Sequence, residues 1–333
     1  MPEPIREIAG LDPSALSDDI LTSPQPLVLR GLISNWPMVQ AALQSPQAAS
    51  AYLRGLYRDA TVGAFLGMPE IQGRFFYNDD VSGFNFRPVK IKLDTVLDEI
   101  ARHEQSANPP AIYVGSTTID TCLPDFRKSN DVNLGVRNAL ASIWIGNQTR
   151  IAAHHDLPDN LACVAAGHRR FTLFAPEQID NLYIGPVDLT PAGQAISLVD
   201  FHNPDLDRYP RFATALENAH VATLAPGDAI FIPSLWWHHV EGLDPFNVLV
   251  NYWWRQSPAW MDTPMHALTL AMMTVRDLPP AQREAMKVLF DHYVFDAADT
   301  ATHIPENARR SMAPMTEDMM RELRARLLQR LNR

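Results

Sequence analysis

The chain has 333 residues, of which 46% are hydrophobic and 20% charged, so it can form one large globular domain with an appendage. A formal net charge of −10 argues against a broad basic surface and hence against nucleic acid as a partner. Two cysteines exclude a disulfide framework, and neither a signal-peptide pattern nor a membrane-spanning apolar run is present, so we expect a cytoplasmic protein with no membrane partner.

The first third of the sequence mixes strand and helix signals. PLVLRGLI at residues 26–33 is typical of a strand, and VQAALQSPQAASAYLRGLY is typical of helix that Pro46 splits in two. We therefore predict that residues 1–105 form helix and strand elements that pack on the next region.

From Ala111 the pattern changes to short β-rich runs. AIYVG, LASIWIG, RRFTLFAP and FNVLVNYWW are separated by glycine, proline, asparagine and aspartate turns. Several short strands at such spacing predict a barrel or a sandwich rather than a parallel sheet with crossover helices. We assign residues 106–257 to this core.

Residues 258–333 are predicted to be helical. In TEDMMRELRARLLQRLNR, Thr316 is a candidate N-cap, acidic residues follow it, and arginines lie toward the end, as the helix dipole favours. An apolar stripe recurs at three- and four-residue intervals. The stripe predicts either packing within the chain or a dimer interface. Its members are Met319, Met320, Leu323, Leu327, Leu328 and Leu331.

Three side chains of the β-rich core form a metal-binding pattern. In RIAAHHDLPDN, an extended backbone places His154 and Asp156 on one face and His155 on the other. Downstream, APGDAIFIPSLWWHHV offers a Gly-Asp turn, a strand, a proline and then His238, a third ligand from a separate strand. Two imidazoles and one carboxylate on one side of a metal suit Fe(II) and leave positions open for a co-substrate and oxygen.

The same segments resemble a known family. The Gly-x5-Pro-x4-His run that ends at His238 resembles the second cupin motif, although Leu235 stands where that motif often has glycine. HHDLPDNLACVAAGHRRFTLFAPEQ and PGDAIFIPSLWWHHVEGLDPFNVLVNYWW resemble the core of the JmjC hydroxylases related to factor-inhibiting HIF, the asparaginyl hydroxylase, a core that bacterial cupin-like proteins share. The resemblance is strongest over residues 110–255. It implies a mainly β fold with helices, built on a double-stranded β-helix, the jelly-roll barrel of JmjC and cupin proteins.

The resemblance also implies the cofactors and several site residues. By motif position, His154, Asp156 and His238 fall on the family's iron ligands, and the expected co-substrates are 2-oxoglutarate and O2. Tyr113, in AIYVG, falls where the family has a hydrogen-bond donor to 2-oxoglutarate.

An enzyme of this kind needs a cation for the distal carboxylate of 2-oxoglutarate, because a buried carboxylate without a charged partner is costly. Arg169 is the candidate, since it shares strand parity with Phe171 and Leu173 and occupies the place where the related hydroxylases carry lysine. Arginine offers a bidentate fork where lysine offers a point charge. Arg170 is the rival anchor.

Three further residues are expected near the metal. The resemblance carries over Asn160 and Asn251 as polar groups of the pocket, although each can also be an ordinary turn or strand residue. Asn251 shares parity with Trp253, and a polar side chain on such an apolar face needs a partner. Trp253 is expected to line the pocket or to pack in the core.

The resemblance implies an Fe(II)- and 2-oxoglutarate-dependent dioxygenase, and we expect it to hydroxylate a protein or peptide side chain, with a small molecule or a demethylation reaction left open. One alternative is a cupin metalloenzyme that does not use 2-oxoglutarate; another is a non-catalytic barrel that binds a peptide or small molecule. Iron-dependent succinate production separates the first two. The helical tail resembles the C-terminal helices through which related hydroxylases dimerise, which predicts a homodimer.

Overall fold

The computed structural model describes residues 3–298 and 300–332. Contacts divide the chain into two units, one that ends at Gln256 and one that begins at Ser257. The finer division of the first unit at residues 105 and 106 stays a prediction.

The first unit contains the strands, most of which belong to the predicted β-rich core. They are β1 (Glu3–Pro4), β2 (Arg6–Ala9), β3 (Leu27–Arg30), β4 (Thr61–Gly67), β5 (Arg74–Phe75), β6 (Phe86–Lys92), β7 (Ala111–Thr118), β8 (Leu140–Gly146), β9 (Arg150–His155), β10 (Asp159–Ala166), β11 (Arg169–Phe174), β12 (His220–Leu224), β13 (Ala229–Ile232), β14 (Trp237–Gly242) and β15 (Asn247–Trp254).

The α-helices lie between strands of the first unit and in the second unit. They are α1 (Asp18–Leu21), α2 (Pro37–Gln44), α3 (Pro46–Leu56), α4 (Leu93–Arg102), α5 (Ile119–Cys122), α6 (Phe212–Glu217), α7 (Pro264–Thr274), α8 (Pro280–Phe290) and α9 (Glu317–Leu331). The predicted break at Pro46 is confirmed, because α2 ends before Ser45, whose side chain caps α3 by accepting a hydrogen bond from the Ala48 amide.

Within the described residues, the strands form two mixed sheets. The six-stranded sheet has the order β1-β12-β11-β14-β9-β5, and the nine-stranded sheet has the order β2-β3-β13-β10-β15-β8-β7-β4-β6. Antiparallel pairs form most of both sheets. The mainly β fold with helices that the sequence predicted is confirmed, as two large sheets of the jelly-roll kind.

Strict alternation divides the side chains of each strand between two environments. On β11, Phe171 and Leu173 point inward and join a core with Ala162 and Ile230 from the nine-stranded sheet. On the nine-stranded sheet, the opposite face packs against α2, α3 and α4 in a larger core that includes Leu161. The inner faces of the two sheets therefore enclose the space in which the predicted site residues lie.

The Gly-Asp turn before β13 is fixed by hydrogen bonds to the N-terminal region. Gly227 has φ +104°, and a Cβ atom there would lie 2.7 Å from Ser34 Oγ, so only glycine fits. The Asp228 carboxylate accepts hydrogen bonds from the amides of Gly31 (2.9 Å) and Ala225 (3.0 Å) and from Arg30 Nη1 (2.7 Å). This turn ties β3 to β13, the strand that leads toward His238.

The second unit is helical, as predicted. The Thr316 hydroxyl caps α9 by accepting a hydrogen bond from the Met319 amide at 3.3 Å, which confirms the predicted N-cap. Arg321 pairs with Glu317 and Asp318 in the first turns of the same helix. Among the described residues, no helix is long and apolar enough to cross a membrane.

Replacing Asp228 with alanine should lower the free energy of unfolding by about 2–3 kcal/mol, because three donors in a largely buried turn lose their acceptor. Denaturant unfolding of the purified protein measures the change. The control is Glu7→Gln, which weakens only a half-exposed ion pair of the same Arg30 and should cost less than about 1 kcal/mol. Equal stability of Asp228→Ala and the unsubstituted protein would contradict the role of this turn.

Candidate metal centre and cavity

The two histidines of the predicted triad face each other across one strand pair. β9 pairs with β14 in a register that sets His154 opposite His238, and their ring centroids are 4.3 Å apart. Asp156 follows directly after β9, and its Oδ2 lies 3.6 Å from His238 Nε2. One ligand atom from each of the three residues lies within 4.8 Å of the others, so the group can bind a metal ion.

Backbone carbonyls orient both imidazole rings. His154 Nδ1 lies 2.9 Å from the Ala152 carbonyl oxygen, and His238 Nδ1 lies 3.0 Å from that of Trp236. Because each carbonyl can only accept, the proton belongs on Nδ1 and the lone pair on Nε2. Such an outer hydrogen bond fixes the tautomer that a metal ligand requires.

Burial keeps His238 neutral. Loss of hydration, followed by the nearby His154 ring, lowers the pKa of His238 to about 4. At neutral pH its Nε2 atom therefore carries a free lone pair.

The loop that carries Asp156 is fastened to the turn before β14. The Leu235 amide donates to the Asp156 carbonyl at 2.8 Å, and the Ser234 hydroxyl donates to the carbonyl of Leu157. The buried Asp159 carboxylate accepts from the Ser234 amide at 2.9 Å. Sequence reasoning missed Asp159 and Ser234, because no local pattern connects residues so distant in the chain.

Leu235 adopts the conformation that its place in the cupin motif implies. Its φ of +67° lies in the left-handed region, which glycine adopts freely and which costs a leucine about 1–2 kcal/mol. Its side chain is 39% exposed. The fold therefore keeps the turn required by the motif without the glycine that usually permits it.

All eight predicted site residues line one cavity of about 280 Å³ between the two sheets. Besides the triad, it is lined by the other five: Tyr113, Asn160, Arg169, Asn251 and Trp253. Most of the remaining wall is apolar. Phe65, Phe75 and Ile151 are among its side chains, and the segment with Pro191 and Gly193 contributes to it from the long connection between β11 and β12.

Arg169 and Arg170 differ sharply in environment. The Arg169 residue is 1% exposed, and its Nε and Nη2 atoms have no hydrogen-bond partner among the residues that the structure describes. Arg170 points to the other face of the sheet, where it pairs with the buried Glu241 and donates to it from Nη2 at 3.0 Å. Of the two arginines, Arg169 is the one that lines the cavity.

No acidic side chain among the described residues forms an ion pair with Arg169. Burial lowers the pKa of Arg169, and the neighbouring Tyr113 only opposes that change. Burial also raises the pKa of Tyr113 well above its usual value, so the phenol stays protonated and can donate a hydrogen bond. The cavity thus holds a guanidinium with donor atoms unpaired among the described residues, and a phenol that can donate a hydrogen bond.

The histidines next to the ligands lie on the opposite face of the six-stranded sheet, as the alternation predicts. His155 packs edge-on against Trp237, with ring centroids 4.7 Å apart, and His239 stacks on Phe201 at 4.4 Å. Burial lowers the pKa of His239 to about 3. Neither histidine lines the cavity with the triad.

Sequence reasoning also missed Trp144 and Ser116, which line the same cavity. Trp144 lies on β8, opposite Leu249 of β15. The signal was present in LASIWIG, where Trp144 has the parity of Ser142 and not that of the apolar Ile143 and Ile145. Ser116 follows Val114 at an irregularity in the pairing of β7 with β8, which only the folded structure reveals.

Comparison with known proteins gives partial matches. The chain is 36% identical to lysine-specific demethylase JMJ31 of Arabidopsis thaliana over 122 residues, 36% of this chain and 22% of that protein. It is 36% identical to human HSPB1-associated protein 1 over 129 residues, 38% of this chain and 26% of that protein. With tRNA wybutosine-synthesizing protein 5 of Danio rerio the identity is 37% over 106 residues, 32% of this chain and 29% of that protein.

These alignments span less than a third of each relative's length. The family comparison is broader, because the model described as a cupin-like domain matches residues 13–259, well over half of the chain. The family resemblance of the motifs is confirmed, and the chain belongs to the cupin-like, JmjC-type domain family.

Proposed function

We propose that this protein is an Fe(II)- and 2-oxoglutarate-dependent oxygenase that hydroxylates a protein or peptide side chain. The observation that carries the proposal is the buried Arg169 guanidinium, whose Nε and Nη2 atoms have no hydrogen-bond partner among the described residues and which lines the same cavity as the His-Asp-His triad. A guanidinium stays protonated in proteins, and burying it unpaired is costly. A carboxylate ligand that also reaches the metal would remove this cost.

The donor set of the triad fits iron. His154, Asp156 and His238 would hold Fe(II) on one side and leave positions open for ligands, as this combination of imidazole and carboxylate does in non-haem iron sites. When bound, iron and 2-oxoglutarate would supply the oxidising chemistry, in which O2 and 2-oxoglutarate become CO2, succinate and a hydroxyl group on the substrate.

The rest of the cavity would position the co-substrate and exclude water. The Arg169 fork and the Tyr113 hydroxyl would donate to the distal carboxylate, as charge-assisted hydrogen bonds favour. The amides of Asn160 and Asn251 and the ring of Trp253 would lie along the remaining co-substrate surface. Phe75 and Ile151 would keep water from the reacting centre.

Demethylation is the second candidate reaction. It is favoured by the 36% identity to a protein named lysine-specific demethylase. Hydroxylation of a methyl group bound to nitrogen gives a product that releases formaldehyde, so the same cavity chemistry serves both reactions. Formaldehyde release from a methylated peptide, in step with succinate, distinguishes demethylation from hydroxylation of a carbon that stays attached.

Replacing Arg169 with alanine should weaken 2-oxoglutarate binding by roughly a hundredfold, because a buried carboxylate loses its charged partner. Anaerobic titration of the Fe(II)-loaded protein, followed by the weak visible charge-transfer band of the 2-oxoglutarate chelate, measures the affinity. Arg170→Ala is the matched control and should keep the affinity, because its side chain lies on the other face of the strand. Unchanged affinity in Arg169→Ala would contradict the proposed anchor.

Replacing Asp156 with alanine should lower Fe(II) affinity by more than about a hundredfold and abolish iron-dependent succinate formation, because the triad loses its carboxylate. Calorimetric Fe(II) titration under anaerobic conditions and succinate analysis measure the two effects. Asp79→Ala, which removes the same charge from an exposed turn, is the control. Normal iron binding in Asp156→Ala would contradict the ligand assignment.

We also propose that the protein is a homodimer through its C-terminal helices. On α9, Leu327, Leu328 and Leu331 are 42%, 52% and 50% exposed, an unusual density of solvent-exposed leucine. A second copy of the chain would cover this face.

The double substitution of Leu328 and Leu331 by glutamate should convert the dimer to a monomer, because charged side chains would then be buried in the interface. Sedimentation velocity at micromolar concentration gives the mass. Leu43→Glu, at a 62% exposed leucine of the first unit, should leave the dimer intact. A monomeric mass of the unsubstituted protein at this concentration would refute the dimer.

A further inference from the structure

A tryptophan outside the predicted set makes the decisive contact with the buried amides of the cavity. Trp144 Nε1 donates a hydrogen bond to Asn251 Oδ1 at 2.8 Å. An indole N–H is a donor and never an acceptor, so this contact removes the usual ambiguity between the oxygen and the nitrogen of an asparagine amide. Asn251 must therefore direct its oxygen to Trp144 and its nitrogen away from it.

The orientation of Asn251 determines that of the next amide. Asn251 is 1% exposed, and its Nδ2 atom lies 3.4 Å from Asn160 Oδ1. The Asn160 oxygen is thus turned toward a donor, which leaves its own Nδ2 group for a partner in the cavity. Asn160 is the second residue of β10, the strand that follows the Asp156 loop, and it lines the same cavity as the triad.

Trp144 also contacts the two aromatic residues predicted for the site. Its ring stacks on Tyr113 with centroids 5.8 Å apart and an interplanar angle of 28°. It meets Trp253 edge-on at 5.7 Å and 89°. One side chain therefore touches the phenol, the second indole and the amide relay.

We infer that Trp144 is a positioning residue whose indole N–H sets the direction of the Asn251–Asn160 relay, so that Asn160 presents N–H donors to an anionic ligand at the metal. This inference rests on the proposed function and names a residue that determines the affinity for the co-substrate. Trp144 itself need not touch the ligand through its nitrogen, because that atom is already used by Asn251.

Loss of the indole N–H would remove the contact that fixes the orientation of the Asn251 amide. Without it, Asn251 can turn over, because its oxygen and nitrogen occupy similar volumes. Asn251 would then direct its oxygen at the Asn160 oxygen, and Asn160 would turn in response. The cavity would receive a carbonyl oxygen in place of N–H donors, and an oxygen repels a carboxylate.

The test compares Trp144→Phe with the unsubstituted protein in the anaerobic Fe(II) and 2-oxoglutarate titration. Phenylalanine keeps a ring against Tyr113 but removes the donor. We expect the dissociation constant of 2-oxoglutarate to rise roughly tenfold, the loss of one hydrogen bond to a charged group, with a shifted charge-transfer band. Fe(II) affinity without 2-oxoglutarate should not change.

A matched control and a double-substitution cycle separate this role from a loss of packing. Trp254→Phe removes the same N–H from a buried tryptophan on the opposite face of β15, which packs in the larger core, and should not change the affinity. In an Asn160→Ala background, Trp144→Phe should have little further effect, because both substitutions remove the same donor. Fully additive effects would overturn the relay.

Asn251→Asp provides a second route if Trp144→Phe does not fold. An aspartate accepts from Trp144 but offers no N–H to Asn160, so it should weaken 2-oxoglutarate binding at least as much. An unchanged band and affinity in folded Trp144→Phe, or in Asn251→Asp when that variant is needed, would overturn this inference and leave the proposed function standing. Absence of the band in the iron-loaded unsubstituted protein would overturn the proposed function, and this inference with it.

Discussion

The pairing of β9 with β14 is the constraint from which the rest of the site follows. Its register sets His154 opposite His238 and brings the end of β9 to the position from which Asp156 completes the triad. The alternation of an extended chain then sends His155 and His239 to the other face, where aromatic rings cover them. A shift of one residue in this pairing would place His155, in place of His154, beside His238.

The second organising feature is a charge in an apolar space. The first unit buries Arg169 and Glu241 on opposite faces of the same sheet, and the two differ in whether an oppositely charged side chain contacts them. Burial alone would raise the pKa of the Glu241 carboxyl. Hydrogen bonds from Arg170 and His202 outweigh that effect and lower this pKa to about 2. Arg169 has no such partner among the described residues. Its burial is therefore costly unless an anion binds to it. In the proposed function, a carboxylate of 2-oxoglutarate would be that anion.

The third feature is the orientation of the hydrogen-bonding groups that line the cavity between the two sheets. Aromatic and aliphatic walls give a ligand little besides exclusion of water, so a few buried donors decide its orientation. Backbone carbonyls fix the metal-facing nitrogens of the two imidazoles, and the indole of Trp144 fixes the amide of Asn251. In both cases a group that can only donate or only accept a hydrogen bond fixes the orientation or tautomer of a side chain that can do both. The arrangement of the cavity therefore depends also on residues outside the predicted set, such as Trp144.

The sequence by itself determined the strand-rich core, the break at Pro46, the cap at Thr316 and the family, because these depend on local periodicity, turn residues and spacing within short segments. It also predicted eight of the residues that line the cavity, since ligand spacing, strand parity and the motif resemblance pointed to them. Only the tertiary structure separated Arg169 from Arg170, because their difference is whether an acid on a neighbouring strand faces the side chain. The structure alone also revealed Asp159, Ser234 and the relay from Trp144, since hydrogen bonds between strands far apart in the chain depend on sheet register, which no local pattern specifies.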